Sequence, residues 1–97
     1  MRKKKRVYIS LPISGRPMEL VKLKVKEVKE LIGKNHTPVS PLDINKGLTD
    51  YAKCMGNDVE TLLNCDVVYF VRGWQTSKGC TAEYEIAKIY EKELMFE

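Results

Sequence analysis

The sequence has little of what builds metal centres and disulfide frameworks. Its 97 residues hold three cysteines and one histidine. Cys54, Cys65 and Cys80 form no C-x-x-C pair and their number is odd, so reduced thiols are expected rather than a disulfide scaffold. With His36 as the single histidine, no ligand spacing for zinc exists, and no metal or other cofactor is expected. No apolar run approaches the ~20 residues of a membrane-spanning helix, so no membrane association is expected. The opening MRKKKR lacks the apolar segment of a secretory signal, and a cytoplasmic protein is the expectation. Internal repeats and low-complexity segments are also missing.

What is present is the balance of an ordinary globular chain. Hydrophobic residues make up 43% and charged residues 31%, enough apolar surface for one modest core over residues 1–97. The net charge of +4 is uneven, because Arg2, Lys3, Lys4, Lys5 and Arg6 open the chain. Such a run can touch nucleic acid or anionic lipid. It also fits a solvated, frayed terminus. No second basic stripe follows it, so nucleic acid is not the expected partner.

Periodicity divides the chain into alternating elements. Arg6–Ser10 is a short β-rich run, broken by Leu11-Pro12-Ile13-Ser14-Gly15-Arg16-Pro17. Met18, Val21, Val25, Val28 and Ile32 recur at helical spacing, with Pro17 placed to start the helix and Gly33 to end it. His36–Ser40 is expected as a brief strand, with Pro38 marking a sheet edge, and Pro41–Gly47 as a loop. Leu48, Tyr51, Ala52, Met55, Val59 and Leu62 form a second helical stripe, weakened at Gly56. Asp66–Val71 is apolar without alternation, as in a strand buried on both faces. Gly73–Gly79 reads as a loop, about Cys80–Lys92 as a third helix, and Leu94–Phe96 as a last strand. The order β-α-β-α-β-α-β predicts a compact flavodoxin-like α/β fold, a three-layer sandwich around a short parallel sheet of about four strands. Ligands of such sheets bind at the C-terminal strand edge. The loops after the first and third strands belong there.

Two glutamates stand close together behind the second of those loops. A helix turns about 100° per residue, so with Glu83 at zero, Ile86 falls at about −60°, Tyr90 at about −20° and Ala87 at about +40°. Glu83 thus lies among apolar residues. Glu85 falls at about −160°, beside Lys88 and Lys92 on the wet side. On position alone Glu83 also fits an acid that partners the free N–H groups of a helix start. Asp58 stands out similarly, close to the packing face between Met55, Val59 and Leu62; read alone, it also fits a surface aspartate near Lys53.

Three segments carry a resemblance. They are Y-I-S-x-P-x-[ST]-G at Tyr8–Gly15, N-D-x-x-x-L-x-x-C-D at Asn57–Asp66 and G-W-x-x-S-K-G-x-x-x-E at Gly73–Glu83. In this order they resemble a small bacterial and phage domain family of unassigned function, similar to the nucleoside 2-deoxyribosyltransferase superfamily. The resemblance covers nearly the whole chain. It implies that Tyr8 orients a nucleophile, that Asp58 works with the leaving base, and that Glu83 is the nucleophile, four residues after Gly79 and four before Ala87. At the position six before the nucleophile, the superfamily has an aspartate in transferases that act on free nucleosides. A serine stands there in the branch that hydrolyses 2′-deoxynucleoside 5′-monophosphates. Ser77 therefore implies a phosphate. Lys78 and Gly79 beside it, with Ser14, Gly15 and Arg16 across the rim, complete a physically sensible anion site. Trp74 is a candidate for stacking on the base, or a partly buried loop residue.

The implied activity is cleavage or exchange of an N-glycosidic bond in a deoxynucleotide or deoxynucleoside. Its oxocarbenium-like transition state is one that a carboxylate stabilises and then traps. Asp58 would need a raised pKa to supply a proton. The sequence departs from the phosphate-cleaving branch in its first loop, where Leu11 and Pro12 replace glycines. Two other readings stand beside the enzyme: a non-catalytic nucleotide-binding module, and a nucleic-acid-interacting protein using the basic terminus. A homodimer or larger homo-oligomer is expected, because so short a sheet leaves edges to cover.

Overall fold

The computed structural model describes residues 3–97; Met1 and Arg2, the first cation of the basic run, lie outside the described residues. Four strands, β1 (Arg6–Ser10), β2 (Thr37–Val39), β3 (Val67–Phe70) and β4 (Glu93–Phe96), form one sheet in the order β2-β1-β3-β4. Every pairing is parallel, with Tyr8 opposite Val39 and Val68, and Val68 opposite Leu94. Pro38 sits on an edge strand, where its missing N–H leaves no inner ladder broken. β3 is interior and all four of its residues are buried, which explains why its sequence does not alternate.

Helices α1 (Met18–Gly33), α2 (Pro41–Ile44), α3 (Tyr51–Leu63) and α4 (Lys78–Ile89) connect the strands. The period of two along the strands sorts the core into two layers. Val7, Ile9, Val67 and Tyr69 meet Val21, Val25, Val28 and Ile32 of α1 on one face. Tyr8, Val68 and Phe70 meet Leu62 of α3, Cys65 and Ala87 of α4 on the other. This is the expected three-layer sandwich. Leu62 is fully buried at the centre of the second layer. Leu62→Ala is expected to lower unfolding free energy by about 2–5 kcal/mol, read from urea titration of the intact chain.

Three segments differ most from the sequence reading. The Pro41–Gly47 segment contains α2, because Ser40 Oγ accepts from Leu42 N and Asp43 N while Asp43 Oδ2 accepts from Ser40 N. That capping box with Pro41 at the first position makes one helical turn. Helix α3 begins at Tyr51 rather than Leu48, because Asp50 caps it. Helix α4 begins at Lys78, so Gly79 lies in its first turn, and it ends at Ile89 rather than Lys92. Glu91, at φ 56°, turns the chain into β4. Tyr90, placed by periodicity on the inner face, is consequently 61% exposed.

None of the helices among the described residues is long and apolar enough to cross a membrane. Within the basic run, Lys5 pairs with Glu93 across the N-terminal sheet edge at 2.8 Å.

Candidate active site

Strand β1 supplies two hydroxyls to one face. Tyr8 and Ser10 are two residues apart, so both side chains point toward α4, and both are fully buried. Helix α4 is started by Ser77, whose Oγ accepts from Cys80 N at 3.2 Å. From that start, Cys80, Glu83 and Ala87 fall on the buried stripe, whereas Glu85 is exposed. The helical angle thus separates the two glutamates as the sequence indicated.

Glu83 is 4% exposed. Tyr8 Oη donates to its Oε2 at 2.9 Å and Ser10 Oγ to its Oε1 at 2.7 Å. Each carboxylate oxygen is therefore held by a hydroxyl from β1. Burial drives the Glu83 pKa up to about 7; the Ser10 bond opposes this, the charge of Asp58 adds to it, and the Tyr8 bond opposes it. The Tyr8 phenol is pushed well above its usual range, by burial first and then by the charge of Glu83, so it remains a donor at neutral pH. Tyr8→Phe and Ser10→Ala each remove a bond that favours the carboxylate. Both are expected to move the Glu83 titration above that of the wild type, measured by carbon-detected NMR of the carboxyl group.

Asp58 comes from the middle of α3. Its Oδ1 accepts from Asn45 Nδ2 at 2.7 Å, and Asn57 Nδ2 donates to Asn45 Oδ1 at 3.2 Å. Burial raises the Asp58 pKa, with the Asn45 bond opposing. The charge of Asp58 is among the causes that raise Glu83, so ionisation of the one acid disfavours ionisation of the other.

The two acids share a cavity of about 320 Å³ at the C-terminal edge of the sheet. The loop after β1 lines it with Leu11, Pro12, Ile13, Ser14 and Arg16, and α3 lines it with Tyr51, Met55 and Asp58. Thr76, Ser77, Lys78, Gly79, Cys80 and Glu83 close the opposite side. The cations Arg16 and Lys78 and the start of α4 make that end electropositive. Among the described residues, no three His, Cys, Asp or Glu side chains cluster as a metal site.

Of the residues singled out from the sequence, Asp58, Glu83, Ser77, Lys78, Gly79, Ser14 and Arg16 line this one cavity, and Tyr8 touches it through Glu83. Gly15 and Trp74 are not among its walls. Gly15 makes the turn after β1 at φ 76°. The Trp74 ring instead packs at 5.1 Å from Phe70 and 4.7 Å from Tyr84, with Phe96 behind them, as a core-edge residue. The loop beside it needs Gly73, whose φ is 92° and where a Cβ would come 3.3 Å from the Arg16 guanidinium. Ser10, Asn45, Tyr51, Met55 and Cys80 are site residues that the sequence reading passed over. Ser10 carried a signal, since it is a polar residue two places from Tyr8 in an apolar strand.

The fold is similar to that of a 2-desoxiribosyltransferase from Leishmania mexicana, with a TM-score of 0.76 and 22% identity over 95% of this chain. It is also similar to a 2-deoxyribosyltransferase from the psychrotolerant bacterium Bacillus psychrosaccharolyticus, with a TM-score of 0.72 and 18% identity over 94% of this chain. The chain spans 63% of the Leishmania protein and 70% of the Bacillus protein. No curated protein matches it. Residues 5–96 match a domain of unknown function, DUF4406, and the chain belongs to that family.

Proposed function

We propose that the domain binds a 2′-deoxynucleoside 5′-monophosphate, or a deoxynucleoside, and breaks or exchanges its N-glycosidic bond with Glu83 as nucleophile. The observation that carries this reading is a buried carboxylate, open to a cavity and held at both oxygens by Tyr8 and Ser10. A carboxylate kept at a pKa of about 7 is costly as structure alone and useful as a reactive group. The likeness to 2-deoxyribosyltransferases supports the reading at the level of the fold.

The chemistry balances with the two acids. An ionised Glu83 oxygen forms a bond to the anomeric carbon as the bond from that carbon to the base nitrogen breaks. The electron pair leaves with the base, which takes the proton of Asp58. The positive charge growing at the anomeric carbon favours ionised Glu83, and the basic nitrogen faces Asp58, the proposed proton donor. Water, or a second base, then attacks the anomeric carbon, its proton returns to Asp58, and Glu83 is released. Tyr8 and Ser10 keep Glu83 aimed throughout. Tyr51 and Met55 offer an aromatic and a thioether wall to the base.

Ser77, Lys78 and Arg16 are the proposed phosphate end. Ser77→Asp tests it, because aspartate also caps helices and so preserves α4 while repelling a phosphate. Base release from monophosphates is expected to fall about 100-fold or more in kcat/KM, with deoxynucleosides unaffected or improved. Chromatography of base release across deoxy and ribo nucleosides and monophosphates tests the reading as a whole. Nucleotide binding without release from any of them favours a non-catalytic binding module, a reading supported by the stiff Leu11-Pro12 wall. The exposed sheet edges and the exposed Leu20, Leu23 and Leu31 of α1 support association with a second copy.

A further inference from the structure

The short helix α2 lends the cavity only Pro41, its first residue, yet it ends on a residue that reaches Asp58. Its start is fixed by fully buried Ser40 and the capping box, and its side is tied to α1 by the Lys29–Asp43 ion pair at 2.7 Å. Its end is Asn45, whose backbone N–H bonds Pro41 O at 3.0 Å. The Asn45 amide therefore has a defined place, and its two ends have different partners. Oδ1 accepts from Asn57, and Nδ2 donates to Asp58 Oδ1. A flipped amide would set the Asn45 N–H groups against the N–H of Asn57 and the Asn45 Oδ1 against the Asp58 carboxylate, so the two partners together hold the orientation. A proton on Asp58 Oδ1 would meet the Asn45 N–H, which is equally unfavourable. Among the described residues no hydrogen bond engages Asp58 Oδ2.

We propose that Asn45, oriented by Asn57, is a positioning residue that confines the proton of Asp58 to Oδ2, the oxygen left to the cavity. The geometry stands alone; its catalytic consequence rests on the proposed function, since a proton on Oδ2 is the one a departing base can take. Neither asparagine is among the cavity walls, so neither needs to touch substrate. The titratable or charged groups sharing the cavity with Asp58 are Glu83, Cys80, Lys78, Arg16 and Tyr51, with Tyr8 behind Glu83.

The test is carbon-detected NMR titration of Asp58 in the full chain without ligand, beside the pH profile of base release. Asn45→Ala removes a donor that favours the charged form, so the Asp58 midpoint moves up. Asn45→Asp sets a like charge there and moves it further. Asn57→Ala, which leaves Asn45 and α2 in place, moves it in the same direction by less. In Asn45→Ala, kcat is expected to fall about tenfold or more with KM within about threefold, and the alkaline limb follows the Asp58 midpoint. An Asp58 midpoint unchanged in all three folded variants overturns the proposal. So does a rise in KM with kcat and midpoint intact, the mark of a purely structural tie. Shifted midpoints with no base release even from wild-type protein uphold the proton placement and sink the proposed function instead.

Discussion

Glu83→Gln is expected to lower base release from a deoxynucleoside 5′-monophosphate by at least about 1,000-fold in kcat, whereas Glu85→Gln stays within about twofold. The contrast is sharp because the substitutions are chemically identical and lie two residues apart on one helix. They differ in direction: Glu83 faces Tyr8 and Ser10 from the buried stripe, and Glu85 faces solvent. Glutamine preserves the shape and can bond both hydroxyls, since its oxygen accepts from one and its nitrogen donates to the other. It has no charge with which to trap an anomeric carbon. Nucleotide affinity in Glu83→Gln should remain within a few-fold of wild type, because Ser77, Lys78 and Arg16 are untouched. A loss of affinity equal to the loss of rate would instead place Glu83 in ground-state binding.

The same residue makes the fold sensitive to pH. A carboxyl with a folded pKa of about 7 and an ordinary value near 4.5 binds protons more tightly in the native state than in the unfolded one. Stability is therefore highest below the unfolded value, falls as pH rises between the two, and levels off above the folded value. The gap corresponds to about 3 kcal/mol. Asp58, also raised by burial, adds in the same direction. Asp43 and Glu97, whose pKa values are lowered, act oppositely and at lower pH, and their exposure keeps their share small. Urea titrations from pH 5 to pH 8 should show wild-type unfolding free energy dropping by about 2–3 kcal/mol, most of that gap, since pH 5 lies just above the unfolded value. Glu83→Gln should remove most of that slope, leaving the variant more stable than wild type at pH 8. A more stable and inactive variant is the expected signature of a group kept for chemistry.

These two results depend on a site whose parts differed in how plainly the sequence announced them. The α1 stripe and the β3 run were legible because each satisfies one period over its whole length, and that determined the parallel sheet and its edge. Glu83 was legible because a helical angle distinguishes it from Glu85. Helix α2 was not, since a four-residue helix has no period; its signal is the Ser40–Asp43 capping box, a pattern of two residues that is easily taken for a turn. The α3 stripe was legible as apolar but not as to what it faces. Leu62 enters the core, while Tyr51 and Met55, on the same stripe, become walls of a cavity. Periodicity reports a face and is silent on whether a neighbour fills it. Trp74 shows the converse, a residue with a plausible binding chemistry that the aromatic cluster of Phe70, Tyr84 and Phe96 had already claimed.

The central claim is that Glu83 forms a bond to the sugar. Protein quenched in acid during turnover of a deoxynucleoside 5′-monophosphate, then digested and fragmented by mass spectrometry, reads this directly. The account predicts a deoxyribose 5-phosphate adduct on the peptide Gly79–Lys88, fragmenting to Glu83, and its absence in Glu83→Gln. Base release that continues undiminished in Glu83→Gln, with no adduct on that peptide, would contradict it.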